Sequence, residues 1–164
     1  MPGVDGLKTG YYRETGFNIV ATAVKKDLRL IVVVLGSPRA RVRDDFALSC
    51  FKKNFSLYKT LDLVRKGEVI DQEILLPHSE PGKIKGIAGA DFSYSIPLDS
   101  KETLSKEIRP IQNLPGNIMK GQKLATLVIK SGNQVSGEVE VVSPVAVPEA
   151  NWFKRMIRKL GINL

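Results

Sequence analysis

Residues 17–35 hold two β-rich runs, Phe17-Asn18-Ile19-Val20-Ala21-Thr22-Ala23-Val24 and Leu28-Arg29-Leu30-Ile31-Val32-Val33-Val34-Leu35, with the polar triplet Lys25-Lys26-Asp27 between them. Branched and aromatic side chains favour strands, so two such runs around a short polar break predict a β-hairpin. The second run is apolar without alternation from Leu30 to Leu35, which indicates a strand buried on both faces. Gly36-Ser37-Pro38 then ends it.

A helix is predicted directly after this hairpin, from about Arg39 to Asn54. Two acidic residues stand early in this segment and two lysines late, as the helix macrodipole prefers. The apolar positions fall roughly at helical spacing and are Val42, Phe46, Leu48, Phe51 and Phe55. Residues 1–54 therefore read as strand, strand, helix.

From residue 57 onward the sequence changes to short β-like runs divided by glycine and proline. This spacing is typical of a small antiparallel sandwich, predicted for residues 55–147. The candidate strands are Tyr58–Val64, Val69–Leu76, Ile84–Ile87, Phe92–Ile96, Leu124–Ile129 and Val135–Val142. Ser131-Gly132-Asn133 between the last two predicts a hairpin turn, because glycine and asparagine tolerate positive φ. Pro144 and Pro148 close the sheet.

The tail, residues 148–164, is predicted to be a linker followed by an amphipathic helix with Asn151 as N-cap. One helical face is apolar and holds Trp152, Phe153, Met156, Ile157, Leu160 and Leu164. The opposite face is basic and holds Lys154, Arg155, Arg158 and Lys159. This pattern predicts a helix that lies in a membrane interface, with packing on the sandwich as the alternative.

The net charge of +8 raises the question of nucleic-acid binding. The excess sits at the two ends of the chain: residues 1–54 carry a net +5, residues 55–147 are neutral and residues 148–164 carry +3. A nucleic-acid binder is expected to present one continuous basic surface, so we expect no nucleic-acid partner. With one cysteine (Cys50) and one histidine (His78), we expect no disulfide, no metal and no other cofactor.

Val4-Asp5-Gly6-Leu7-Lys8-Thr9-Gly10-Tyr11 resembles the stretch around the Lys-Thr-Gly motif of the low-molecular-weight penicillin-binding proteins, which are serine-type D-alanyl-D-alanine carboxypeptidases. Gly16–Ala23 and Arg29–Gly36 are similar to the two strands that follow in that family, and residues 55–68 are similar to the junction into its β-rich second domain. The resemblance covers only the C-terminal portion of the family.

The resemblance implies an α+β fragment of a penicillin-binding/β-lactamase-like catalytic domain (strand-strand-strand-helix) over residues 1–54. An all-β sandwich-like domain over residues 55–147 and the C-terminal amphipathic helix follow. In the family this helix anchors the protein on the periplasmic face of the inner membrane. Residues 1–6 show no export signal. If the 164 residues are the whole product, a cytoplasmic protein is therefore expected.

The implied activity is removal of the terminal D-Ala from peptidoglycan stem peptides through a serine acyl-enzyme, with β-lactams as inhibitors. By resemblance, Lys8 supplies positive charge, and Thr9 binds the terminal carboxylate with help from Arg43. The backbone around Gly10 and Tyr11 pairs with the substrate and helps to form the oxyanion hole. Tyr12 stands where relatives often carry threonine, which puts the fine substrate geometry in question.

The nucleophile motif is missing from its place before Lys8, so this chain is predicted to be inactive alone. Two formal motif matches occur elsewhere: Ser56-Leu57-Tyr58-Lys59 fits the nucleophile motif Ser-x-x-Lys, and Ser131-Gly132-Asn133 fits the family's second motif, Ser-x-Asn. The first lies at the start of a strand, where Ser and Lys do not share a helical face, and the second lies at a hairpin tip. Without the family's N-terminal region, one face of the strand Leu30–Leu35 is expected to be uncovered.

Two other functions are weighed against the carboxypeptidase. One is a non-catalytic membrane-surface interaction module built from the sandwich and the tail. The other is a basic nucleic-acid binder, which the distribution of charge disfavours.

Overall fold

The computed structural model describes residues 2–152 and residue 156, and in this part of the chain there are ten strands and one helix. The elements in order are β1 (Val4–Tyr12), β2 (Gly16–Lys25), β3 (Leu28–Ser37), α1 (Ala40–Asn54), β4 (Tyr58–Val64), β5 (Val69–Leu75), β6 (Lys83–Ala88), β7 (Phe92–Pro97), β8 (Leu104–Pro110), β9 (Lys123–Ser131) and β10 (Gln134–Val142). Two compact units result: the first runs to Leu61 and includes Ser95–Ser100, and the second takes Asp62–Tyr94 and the residues from Lys101 onward.

The first unit contains an antiparallel three-stranded sheet in the order β1-β2-β3, followed by α1. The predicted hairpin is confirmed, since Lys25 pairs with Leu28 and the strands run back to Phe17 opposite Ser37. The predicted helix is confirmed within one residue at its start.

One face of this sheet is covered by α1. Phe51 is only 1% exposed and packs against Ala21 and Ala23 of the middle strand. Burial of a phenylalanine side chain contributes roughly 2–3 kcal/mol, so this contact is a main source of the unit's stability. The partly buried residues around it are Ile19, Leu30, Val32 and Phe55.

The opposite face of the sheet is open in the described residues. Ile31, Val33 and Leu35 of β3 are 64%, 56% and 72% exposed. The prediction that this strand is buried on both faces is therefore wrong here, because alternate side chains of a strand point to opposite sides and α1 covers one side only. The expected uncovered apolar face is confirmed.

The second unit contains a five-stranded antiparallel sheet in the order β5-β6-β10-β9-β8. A separate pair, β4 with β7, has residues assigned to each of the two units. The predicted turn between β9 and β10 is confirmed: Ser131 pairs with Gln134, and Gly132 between them has φ +57°. The sequence pattern did not predict β8, whose seven residues include Lys106, Glu107 and Arg109. Charged residues are common in edge strands, and they give β8 a polar sequence that resembles a loop.

The core of the second unit is apolar and continuous. Leu63 and Phe92 pack on it from β4 and β7. Its buried members are Val64, Ile70, Ile74, Leu76, Ala88, Leu114, Ile118, Leu124, Ala125, Leu127, Ile129, Val139, Val141 and Val147. The predicted β-rich character of this region is confirmed.

The predicted amphipathic helix lies outside the described residues except for Trp152 and Met156, which are 72% and 45% exposed. Across the described ranges, no helix combines the length and the hydropathy that crossing a bilayer requires.

A candidate active-site edge on strand β1

The residues of the Lys-Thr-Gly motif lie together on β1, at the edge of the three-stranded sheet. Lys8, Thr9, Gly10 and Tyr11 are all exposed, and within the described residues β1 pairs with β2 alone. The outer edge of β1 thus presents backbone N–H and C=O groups that no strand of the described chain uses. Such an edge can accept an extended peptide as an added strand.

The register of β1 sorts the motif onto two faces. Lys8 pairs with Val20 and Gly10 with Asn18, whereas Thr9 pairs with Ile19. Because directly paired residues share a face, Lys8 lies on the open face with Val20, and Thr9 lies on the side that α1 covers at Ile19. Because Lys8 and Thr9 are both exposed, a ligand can approach the outer edge of β1 from either face of the sheet.

Gly10 has open space beside it. A methyl group on its Cα would meet no atom within 4 Å, and its φ is not in the left-handed region. The packing of this unit therefore does not require glycine at position 10, which is consistent with close approach of a ligand backbone. Next to it, the rings of Tyr11 and Phe17 lie 4.5 Å apart and tilted by 38°.

A polar cluster on the other half of β1 was not predicted. Arg29 of β3 donates from Nη1 and Nη2 to the two carboxylate oxygens of Asp5, at 3.0 and 2.9 Å. Thr22 of the middle strand also donates to Asp5 and is 5% exposed. These hydrogen bonds, from Arg29 first and Thr22 second, hold the pKa of Asp5 below its usual value. Opposite charges on the two strands were visible in the sequence, but their register was not.

Arg43 does not lie on the β1 edge. It is 8% exposed on α1, and its Nη1 donates to the backbone carbonyl of Asn18 at 3.2 Å. Its Nε and Nη2 donate to Asp44, at 2.9 and 2.8 Å. Since Asn18 pairs with Gly10, the guanidinium reaches the strand next to the motif. Arg43 is therefore a buried, hydrogen-bonded residue of α1 and not a solvated one.

The two formal motif matches, one to Ser-x-x-Lys and one to Ser-x-Asn, lie in turns and at strand ends. Ser56 follows α1 and donates to the carbonyl of Lys53 at 2.7 Å, while Lys59 lies in β4. Ser131 ends β9 and donates to Glu102 at 2.8 Å, next to the turn that holds Asn133. Ser56 and Lys59 therefore do not lie on one helical face, as the nucleophile motif requires.

The predicted membrane-contacting residues are mostly outside the described part of the chain. Trp152 and Met156 are described and exposed. The others are Phe153, Lys154, Arg155, Ile157, Arg158, Lys159 and Leu160.

Comparison with known proteins gives two family matches. A family model described as the C-terminal domain of penicillin-binding protein 5 matches residues 58–149. A model described as D-alanyl-D-alanine carboxypeptidase matches residues 1–39, which include β1 and its motif. The two matched segments lie before and after α1 in the sequence.

The individual relatives agree with these matches. The chain is 34% identical over 169 residues to D-alanyl-D-alanine carboxypeptidase DacF of Bacillus subtilis, which covers 98% of this chain and 41% of the relative. It is 27% identical over 157 residues to D-alanyl-D-alanine carboxypeptidase DacA of Haemophilus influenzae, with 93% and 39% covered. The chain thus spans about two fifths of the length of the relatives it matches.

The solved structures support the same assignment. Penicillin-binding protein 5 of Haemophilus influenzae superposes with a TM-score of 0.71 at 25% identity, over 90% of this chain and 43% of the other. A peptidoglycan synthesis regulatory factor (PBP3) of Streptococcus pneumoniae gives a TM-score of 0.73 at 20% identity, over 90% and 44%, and shows the fold. Since the first model matches more than half of its residues, the chain belongs to the family described as the C-terminal domain of penicillin-binding protein 5, and its first 39 residues match the D-alanyl-D-alanine carboxypeptidase family.

Proposed function

We propose that this chain is the C-terminal part of a serine-type D-alanyl-D-alanine carboxypeptidase that removes the terminal D-Ala from peptidoglycan stem peptides. The observation that carries the proposal is the position of Lys8, Thr9 and Gly10 on the outer strand of the sheet, within the segment that matches the carboxypeptidase model. The motif is thus exposed and lies next to backbone N–H and C=O groups that no strand of the described chain uses.

The β1 edge can do three things for such a substrate. The stem peptide is extended, so it can pair with the outer edge of β1 as an added strand, and Gly10 leaves room for it. Lys8 makes no ion pair in the described structure, so its charge is available to an anionic group. Thr9 offers a hydroxyl to the terminal carboxylate, and the backbone at Gly10 and Tyr11 would stabilise the oxyanion.

Arg43 is proposed to act on the same carboxylate from the neighbouring strand. A guanidinium has five N–H donors. The contacts with Asn18 and Asp44 use three of them. The remaining N–H groups could bind a substrate carboxylate that lies close to β2. The proposed role therefore depends on the pairing of Asn18 with Gly10, which brings Arg43 near the motif.

The acyl-enzyme needs a nucleophile that does not precede Lys8 within these 164 residues. We therefore propose that the chain is inactive alone and works with a region that carries Ser-x-x-Lys. The uncovered apolar residues Ile31, Val33 and Leu35 support a surface for that region, because burial of such a face is favourable. The proposed site of action is the periplasmic membrane surface, reached through the tail.

Fluorescent penicillin tests this proposal directly. Membranes of the source cell are labelled, separated on a gel and blotted with an antibody raised against the 164-residue chain. A labelled band larger than this chain that the antibody recognises supports the carboxypeptidase. An antibody band at the size of the chain, with no label on any band the antibody detects, contradicts it. The isolated chain should take no label in either case.

A second function is a membrane-surface module without catalysis. The second unit has its own continuous buried core, from Val64 to Val147, which favours a structure that does not depend on a catalytic partner. This function predicts that the chain binds anionic vesicles and that Trp152→Ala with Phe153→Ala abolishes the binding. Unchanged vesicle binding by that variant would exclude the tail as the anchor.

A further inference from the structure

A concave pocket lies in the first unit, at the tip of the β2–β3 hairpin and beside the segment that joins α1 to β4. Its volume is about 360 Å³, which is in the range of small-ligand sites. The pocket is far along the sheet from Gly10, since the hairpin tip follows Lys25 at the other end of β2. Its lining is Lys25, Lys26, Asp27, Leu28, Phe55, Tyr58, Lys59, Thr60 and Leu98.

The positive charge of this lining comes from three lysines. Lys25, Lys26 and Lys59 form no ion pair within the described residues. By contrast, Lys83, Lys85, Lys123 and Lys130 of the second unit each pair with a carboxylate. Like charges held close together repel one another, so three unpaired lysines around one concavity do not stabilise the free protein.

The hairpin tip is also unusual in its backbone. Lys26 has φ +54°, in the left-handed region that glycine, asparagine and aspartate favour. A lysine at this position is conformationally disfavoured, and backbone outliers of this kind occur preferentially at functional sites. Lys26 and its neighbour Lys25 both line the pocket.

Part of the pocket lining is held in place by contacts inside the same unit. Thr60 Oγ1 donates to the carbonyl of Asp27 at 3.2 Å and lies 3.2 Å from Ser95 Oγ. Leu28 is 8% exposed and belongs to the lining as an apolar side chain. The lining therefore combines apolar side chains with three lysines.

We propose that this pocket binds a phosphate group, as a phosphomonoester or a diphosphate. Three lysines and Asp27 give the lining a net charge of +2, which matches the charge of about −2 on a phosphomonoester near neutral pH. Ammonium groups bind phosphate as compact point charges, and no arginine fork for a planar carboxylate lines the pocket. The phosphate can belong to a soluble compound or to a lipid headgroup.

The test measures binding of sodium pyrophosphate and of glycerol 1-phosphate to the full chain by calorimetry, and of phosphatidylglycerol vesicles by flotation. The variant replaces Lys25, Lys26 and Lys59 with glutamine. The control replaces Lys66, Lys101 and Lys120 of the second unit with glutamine, which removes the same charge elsewhere. A third variant, with arginine at positions 25, 26 and 59, keeps the charge and should keep most of the binding.

Saturable binding of a soluble phosphate that falls at least about tenfold in the pocket variant, and less than about threefold in the control, supports the proposal. The same contrast seen with vesicles alone supports a lipid headgroup as the source. Equal loss in both glutamine variants would show a general charge effect and overturn the proposal. Absence of binding to all three probes, or an affinity for acetate equal to that for the soluble phosphates, would also overturn it. Unchanged circular dichroism of the variants verifies that they are folded.

Discussion

Arg29 holds the carboxylate of Asp5 with two hydrogen bonds, at 3.0 and 2.9 Å, from the opposite edge of the three-stranded sheet. Thr22 of the middle strand joins the same carboxylate. The cluster lies three residues before Lys8, at the register shift between Val4 and Gly6. It therefore ties the start of the motif strand to both of the other strands.

The first prediction concerns acid stability. The folded-state pKa of Asp5 is lowered from 3.8, mainly by the hydrogen bond with Arg29. A depressed pKa contributes stability that is present above the unfolded pKa and is lost as the pH falls through the folded pKa. Asp5→Asn should lower the urea midpoint at neutral pH, with a difference that disappears well below pH 3.8.

An NMR titration provides the control for this prediction. The carboxyl of Asp5 should titrate below 3.8 in the wild-type chain, and Arg29→Gln should move its midpoint upward. Glu107 of the second unit also has a lowered pKa, because Lys130 and Arg109 donate to it. Its midpoint should stay unchanged in the Arg29 variant. A wild-type midpoint of Asp5 at or above 3.8 would argue against the hydrogen bonds between Arg29 and Asp5.

The second prediction separates a structural role of Arg43 from a free, solvated one. Arg43→Met leaves the carbonyl of Asn18 without its buried donor, so we expect a loss of roughly 1–3 kcal/mol in unfolding free energy. Arg41→Met is the matched control, because Arg41 is 93% exposed and lies 3.8 Å from Asp45. An exposed pair of this kind should contribute less than about 1 kcal/mol. Equal effects in denaturant unfolding would contradict the buried role.

The third prediction uses two glycines with nearly the same backbone. Gly16 and Gly36 have φ of +73° and +72°. A Cβ at Gly16 would lie 2.6 Å from the carbonyl oxygen of Ser37, whereas at Gly36 the nearest atom is 3.8 Å away. Gly36→Ala should lower the free energy of unfolding by about 1–2 kcal/mol, which is the cost of holding alanine in the left-handed conformation. Gly16→Ala should cost clearly more in thermal unfolding, and a smaller loss than that of Gly36→Ala would disprove the close approach.

The fourth prediction concerns the open sheet face. Ile31→Thr, Val33→Thr and Leu35→Thr together should reduce self-association of the chain, because they remove apolar surface while threonine preserves strand propensity. Sedimentation velocity over a concentration series measures this. The control is Leu75→Thr, Met119→Thr and Val145→Thr, which changes three exposed apolar residues of the second unit. A wild-type chain without concentration dependence, or equal effects of both triples, would exclude this face as the associating surface.

The local elements were largely predictable from the sequence. The polar break at Lys25-Lys26-Asp27 marks the hairpin, and Tyr58–Val64 was predicted with the bounds of β4. The Lys-Thr-Gly stretch was identified as the candidate site before its position on an edge strand was known. The hairpin and β4 follow from neighbouring residues, since side-chain periodicity and turn preference act over a few positions, whereas the candidate site follows from the resemblance to the penicillin-binding proteins.

What only the tertiary structure decided is which surfaces are covered and which distant groups meet. The apolar run of β3 looked buried on both sides, but α1 packs against one side of it only. Asp5 and Arg29 are 24 residues apart, and Arg43 and Asn18 are 25 apart. Burial and long-range hydrogen bonds depend on the register of strands and on what packs against them, and a local pattern of residues carries neither.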